Sequence, residues 1–371
     1  MKRDWTEEFK WFHAHPETGF EEYRTTERIR EILKEEGIEE LKFPLKTGAV
    51  AVIRGEREGN NRLLRADIDA LPIKEGSNLP YASVHKGVMH ACGHDVHLTT
   101  ALMVADFLNR NKKKVKGNVY ILFQPGEEVF NGAASVIKTG ITKGIDEFYA
   151  FHTDPSSEVG EIGIAAGGVT SSVDRFQITV NGKGSHAALP HEGINPIRAL
   201  TEIASWLSSD CDHAIDAFTP HVITVARLSA GTTWNVIPSS GELEGTVRTL
   251  DENVRKKIKN ETEKAVRAFE LLYDVQISLI WTKGPHVSFN DEGLVKKALS
   301  VSKRLGVKTK APGNLMIGDD FGDYAAEDEK SKGLYIKIGS GKGETYHHPK
   351  FYADPKTIYA AAEFMGELLM E

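Results

Sequence analysis

The chain has 371 residues, 40% hydrophobic and 27% charged. At about 100–200 residues per domain this is material for two or three cores, and it excludes disorder as the main state. The net charge of −7, without a long basic block, excludes a dedicated nucleic-acid binder. Two cysteines, Cys92 and Cys211, exclude a disulfide scaffold and point to a reducing cytoplasm. The polar start does not read as a leader, and no apolar run approaches the ~20 residues of a membrane span.

Apolar spacing from Phe9 and Phe12 to Ile32 and Leu33 predicts a helical first segment, ended by Gly37. Apolar runs at 49–53, 62–67, 118–124 and 147–152 read as buried strands. Between them, 96–110 and 133–140 have helical character. Alternating strands and helices imply an α/β domain built on a doubly wound, mostly parallel sheet. The pattern then changes. Strand 172–182, helix 195–209, strands 221–230 and 240–250, helix 252–274 and strand 275–281 follow the ferredoxin-like order. After Gly284 a helix at 292–306, a strand at 333–340 and a tail helix from Asp354 restore the first pattern. We therefore expect a two-part α/β domain at 1–168 and 283–371, interrupted by an inserted α+β satellite domain at 169–282.

Four features carry chemistry. In MHACGHDVH (89–97) a thiol and an imidazole, Cys92 and His94, flank Gly93 ahead of a helix, and both are good ligands for a borderline metal. In FQPGEE (123–128) a buried strand delivers Glu127 and Glu128. Adjacent glutamates are commonly a solvated turn, but this pair stands at a strand's C-terminal end, where open α/β sheets place ligand sites. One carboxylate can hold a metal while its neighbour stays free to take a proton. His152 closes the apolar strand EFYAF, and TYHHP (345–349) offers His347 or His348. Cys92, His94, Glu128, His152 and one of that last pair make five S, N and O donors, enough for two close metals sharing a ligand. No glycine cluster has the form of a nucleotide-binding loop.

RADIDALPI (65–73), HACGHDVH (90–97), FQPGEE (123–128), GKGSHAALPHEG (182–193), NVIP (235–238), GTVRT (245–249) and HHP (347–349) together resemble the co-catalytic metallopeptidases of the aminoacylase and carboxypeptidase type. The nearest branch is the amidohydrolases of N-acyl amino acids: auxin-conjugate hydrolases, hippurate hydrolases and N-acetyl-diaminopimelate deacetylases. The resemblance runs from about residue 11 to the C-terminus. It implies a dinuclear metal site with Cys92 bridging, His94 and Glu128 on one ion and His152 on the other. His347 is the last ligand, Glu127 the general base, and Asp67 or Asp69 orients His94. It also implies that His186 polarises the scissile carbonyl, and that Asn235 and Arg248 bind the substrate's free carboxylate.

The implied activity is metal-dependent hydrolysis of the amide bond in an N-acyl amino acid. The metals would be two divalent ions, Zn²⁺ or Mn²⁺, with Co²⁺ or Ni²⁺ as further options for a mixed donor set. The expected partner is a small N-acyl amino acid, without nucleic acid or membrane, in a homodimer formed through the satellite domain. The competing readings are a dipeptidase or carboxypeptidase of the same family, and a catalytically silent metal-binding or ligand-binding protein.

Overall fold

The computed structural model describes residues 3–313, 316–328 and 330–371. The chain divides into two compact units. One comprises Met1–Val169, Ser288–Asn314 and Asp319–Glu371, the other Thr170–Val287 and Leu315–Gly318.

The first unit is built on an eight-stranded sheet. Across it run Glu39–Leu41, Ala49–Arg54, Asn118–Gln124, Arg62–Asp67, Glu147–Asp154, Lys332–Gly339, Ile162–Gly163 and Thr309–Lys310. The four central strands are parallel, and the flanking Ala49–Arg54 and Ile162–Gly163 join them antiparallel. Strand Arg62–Asp67 is buried at every position, which is why its sequence shows no alternation. Helices His94–Arg110 and Thr357–Met370 pack together over one face, with Leu98, Leu102, Phe364 and Leu368 in the shared core.

The helical first segment proves to be two helices, Trp5–Ala14 and Tyr23–Glu35. Pro16 lacks the amide a continued helix would need, and Phe20 takes a left-handed backbone at φ 63°. The helix expected from 96 begins at His94, because Gly93 at φ 86° turns the chain directly into it. His94 is therefore a helix residue and not part of the loop before it. Helix Gly322–Ala326 went unread, since its polar surroundings hide any apolar period.

In the second unit the strands run His221–Ala230, Ser240–Thr249, Ser172–Asn181 and Gln276–Lys283 across an antiparallel sheet. Helices Pro196–Ser205 and Glu252–Tyr273 pack on it, enclosing Phe176, Ile178, Val180, Leu200 and Ile203. This is the ferredoxin-like arrangement. The helix expected over 195–209 gives way at Trp206 to a π-helical turn, Trp206–Asp210. A buried Asp174–Arg255 pair, with Trp281 Nε1 donating to Asp174 at 2.8 Å, ties the long helix to the sheet.

One buried ion cluster fastens helix Trp5–Ala14 to the rest of the first unit. His13 Nδ1 lies 2.6 Å from Asp95 and its Nε2 3.3 Å from Glu75. Burial disfavours charge on His13, but the two carboxylates outweigh it and raise its pKa to about 9. A raised histidine stabilises the fold fully below its unfolded value, and that contribution is lost as pH rises through the folded value. The melting temperature should therefore fall between pH 7 and 10, with on the order of 3 kcal/mol at stake. His13→Gln should flatten that slope in a thermal-melt series. An unchanged slope would show that another group carries it.

Candidate metal centre

The donors gather where the parallel strands end. Cys92 lies in the turn before helix His94–Arg110, Glu127 and Glu128 follow strand Asn118–Gln124, and His152 is near the end of strand Glu147–Asp154. His347 reaches them from the loop after strand Lys332–Gly339. Its backbone is left-handed at φ 62°, and its amide donates to the carbonyl of Ala91 at 2.8 Å. A non-glycine residue held in that region is a strained position. Here it brings the imidazole to the loop that bears Cys92.

The donor atoms fall into overlapping groups, each within 4.8 Å: Cys92 with His94 and His152, Cys92 with Glu128 and His347, and His94 with Glu127 and Glu128. Cys92 Sγ is 3.4 Å from His152 Nε2, and His347 Nε2 is 3.5 Å from a Glu128 oxygen. His94 thus shares its thiol-centred group with His152, while Glu128 shares the other with His347. His94 and Glu128, expected on one ion, also fall in one group, with Glu127. Cys92 is the member common to both thiol-centred groups. His348 stays apart, with its Nδ1 accepting from the Lys350 amide at 3.2 Å.

Hydrogen bonds fix which ring nitrogen faces inward. His94 Nδ1 donates to the Asp69 carbonyl at 2.9 Å and lies 3.2 Å from its carboxylate. His152 Nδ1 donates to the Thr153 carbonyl at 2.9 Å. Each ring therefore presents Nε2 to the centre. Of the two aspartates expected to orient His94, Asp69 does so, and it also accepts the Glu128 amide at 2.9 Å. Asp67 instead holds His97 Nδ1 at 2.6 Å. The Thr153 amide donates to His97 Nε2 at 3.0 Å, so His97 braces the end of the His152 strand and has no free nitrogen.

Two buried donors, His94 Nε2 and Glu128 Oε1, have no hydrogen-bond partner among the described residues and lie 3.9 Å apart. Buried polar atoms rarely stay unpaired. With thiol, imidazole and carboxylate present together, the donor set fits two divalent cations. Electrostatics agree. Burial opposes charge on His94, yet Asp67 and Asp69 raise its pKa well above the ordinary value. The same negative field attracts a cation. Burial holds His152 neutral, with its lone pair available. Glu127 is 6% exposed, and burial with the charges of Asp319, Glu128 and Asp320 raises its pKa well above the carboxylate range.

The supporting charges were not foreseen. Arg65 is fully enclosed and bonds Asp67, Gln124 and Asp320, with Asp319 at 3.3 Å. Asp319 and Asp320 also group with Glu127. Their signal in sequence was a pair of acids after Gly318, no different from a solvated turn.

His186, Asn235 and Arg248 belong to the second unit. His186 is exposed on a short ribbon opposite Val236, with Ala187 N–H donating to the Asn235 carbonyl at 3.1 Å. Its Nδ1 accepts from the Ala188 amide at 3.1 Å, leaving Nε2 open. Arg248 lies near the far end of strand Ser240–Thr249, opposite Val222. At about 3.3 Å per residue, eight residues along this strand span roughly 26 Å. Asn235 and Arg248 of one chain are thus not brought together, contrary to their expected shared role. No ion pair occupies Arg248 among the described residues, and burial lowers its pKa.

Among the described residues no helix is long and apolar enough to cross a membrane. The model of peptidase family M20/M25/M40 matches residues 63–371. An N-acetylcysteine deacetylase from Bacillus subtilis is 39% identical over 369 residues, covering 99% of this chain and 94% of its own. A thermostable carboxypeptidase from Saccharolobus solfataricus is 33% identical, covering 94% and 90%. Among solved structures, a dinuclear metal-binding M20 peptidase from Bacillus subtilis superposes with a TM-score of 0.89 at 36% identity, covering 99% and 96%. With five donors converging at the sheet's edge and the family match spanning most of its length, the chain belongs to peptidase family M20/M25/M40.

Proposed function

We propose that this protein is a metal-dependent amidohydrolase of N-acyl-L-amino acids, with N-acetyl amino acids as its substrates. The observation that carries this reading is the unpartnered pair His94 Nε2 and Glu128 Oε1 beside a buried, unliganded Glu127. The deacetylase relative supports the acetyl group.

In this reading Cys92, His94, His152, Glu128 and His347 would hold the two ions, with Cys92 common to two of the donor groups. A divalent pair at these donors supplies Lewis acidity, acidifying water and polarising a carbonyl. Glu127 Oε2, 4.0 Å from His94 Nε2, accepts the proton of the attacking water and returns it to the departing nitrogen. Burial and the neighbouring Asp319, Glu128 and Asp320 push its carboxyl above the ordinary range, which makes it a stronger base than an exposed glutamate. The amide is thereby divided into a carboxylate and an amine. His186, with Nε2 free, grips the carbonyl oxygen as negative charge develops. Arg248, with no ion-pair partner among the described residues, clamps the substrate's α-carboxylate through its planar fork.

Asn235 and His186 share one end of the satellite sheet and Arg248 stands near the other. A homodimer that lends one copy's His186 and Asn235 to the other's site resolves that separation. The exposed apolar side chains Val222 and Leu228 on one edge strand and Ile280 on the other are suitable for such pairing. Two free cysteines, one of them a metal donor, suit a cytoplasmic location. Zn²⁺ and Mn²⁺ are the ions we expect.

Three measurements test this reading. Glu127→Gln should retain metal by elemental analysis and lose about 10²–10⁴-fold in kcat. Turnover near wild type would remove Glu127 as the base. Cys92→Ala should lower metal stoichiometry in the same assay, and full occupancy would exclude the thiol as a ligand. Arg248→Ala should cut kcat/KM at least tenfold for N-acetylmethionine but little for its carboxamide. Equal losses would refute the clamp. The carboxypeptidase relative favours a second reading, peptide cleavage. A panel of N-acetyl amino acids and N-blocked dipeptides, assayed with and without chelator, separates the two.

A further inference from the structure

Glu22 takes no part in the chemistry above, yet it is wholly buried against the turn that carries it. Its side chain is 0% exposed, and the Gly126 amide donates to its Oε1 at 2.9 Å, while Oε2 has no partner. Gly126 lies between the Asn118–Gln124 strand and Glu127, in the left-handed region at φ 68°. A Cβ there would stand 2.6 Å from the Phe20 ring, so this segment meets the turn without a gap. Gly19 is equally close: a Cβ on it would lie 3.2 Å from Gly126 Cα and 3.3 Å from an Asp69 oxygen.

The same segment holds the Asp69 loop. The Ala70 amide donates to the Glu17 carbonyl at 2.8 Å, and Thr18 bridges Ala70. Asp69 in turn accepts the Glu128 amide at 2.9 Å. The turn is therefore held at alternate amides by two buried carboxylates, Glu22 on Gly126 and Asp69 on Glu128. The residue between them is Glu127. A buried amide that loses its acceptor must find another or move, and this turn has little room to move without redirecting both glutamates.

We propose that Glu22 is a positioning residue of the hydrolytic site, which sets the direction of Glu127 and Glu128 by fixing the Gly126 amide from behind. The inference rests on the reading of Glu127 as base and Glu128 as ligand. Burial, with the charge of Asp69 second, raises the Glu22 pKa to about 7. Glutamine is consequently a close mimic of its neutral form and keeps the accepting oxygen.

The test compares Glu22→Gln with Glu22→Leu, which fills the space but accepts nothing. Leu should lower kcat by about 10²-fold, the usual effect of an ångström's misplacement of a catalytic group, while KM moves less than about threefold. Gln should recover most of the loss. In the metal-free protein, amide hydrogen exchange in peptides covering 124–131 should accelerate in the Leu variant and not in the Gln variant. Should Glu22→Leu fail to fold, Glu22→Asp replaces it, since one methylene less withdraws the carboxyl from the amide. Wild-type kcat in the Leu or Asp variant, or unchanged exchange at this turn, would overturn the proposal. Inactivity of the wild-type protein toward every N-acyl amino acid would instead sink the functional reading, and the exchange result would still report on the Glu22 lock.

Discussion

Six carboxylates, Asp67, Asp69, Glu127, Glu128, Asp319 and Asp320, are drawn together beside a single buried guanidinium. Taking an ion out of water costs several kcal/mol even after relaxation. Arg65 offsets that cost for Asp67, Asp319 and Asp320, and the pairing keeps Asp67 well below the ordinary carboxylate range despite its burial. It does not meet Asp69, Glu127 or Glu128. The remaining negative charge favours a cation at these donors, while burial first and the charges of Asp319, Glu128 and Asp320 next raise the Glu127 pKa.

Rigidity comes from the backbone around these side chains. His94 and His152 each spend one nitrogen on a main-chain carbonyl and turn the other inward. His97 is fastened at both nitrogens and stiffens the strand end that carries His152. The Glu127–Glu128 turn is gripped by Asp69 and Glu22. The directions of these side chains are thus set by hydrogen bonds within the protein, which limits reorganisation at the site.

How much of this was readable from residue order depends on the range of each interaction. Cys92, His94, Glu128 and His152 were legible because each stands in a short motif at the end of an apolar run, and the ends of parallel strands face one edge. The ferredoxin-like order of the second unit was legible from periodicity for the same local reason. His347 could not be separated from His348 until the left-handed backbone and the Ala91 contact were known. Arg65 is a charge inside a strand buried at every position, and its partner Asp320 lies 255 positions away. Glu22 was one acid in a polar stretch. Asn235 and Arg248 were grouped by shared role, and the strand between them shows that one chain keeps them apart.

Residue order alone therefore indicated the donor types and the fold class, which follow from side-chain identity and from periods of two to four residues, and the catalytic type through the family resemblance of its motifs. It was the folded chain that decided which donor atoms lie near the thiol, which aspartate bonds His94, which histidine of the pair lies beside Glu128, and what braces the Glu127–Glu128 turn. Those are outcomes of hydrogen bonds and charge pairs between segments far apart along the chain, and no local pattern encodes them.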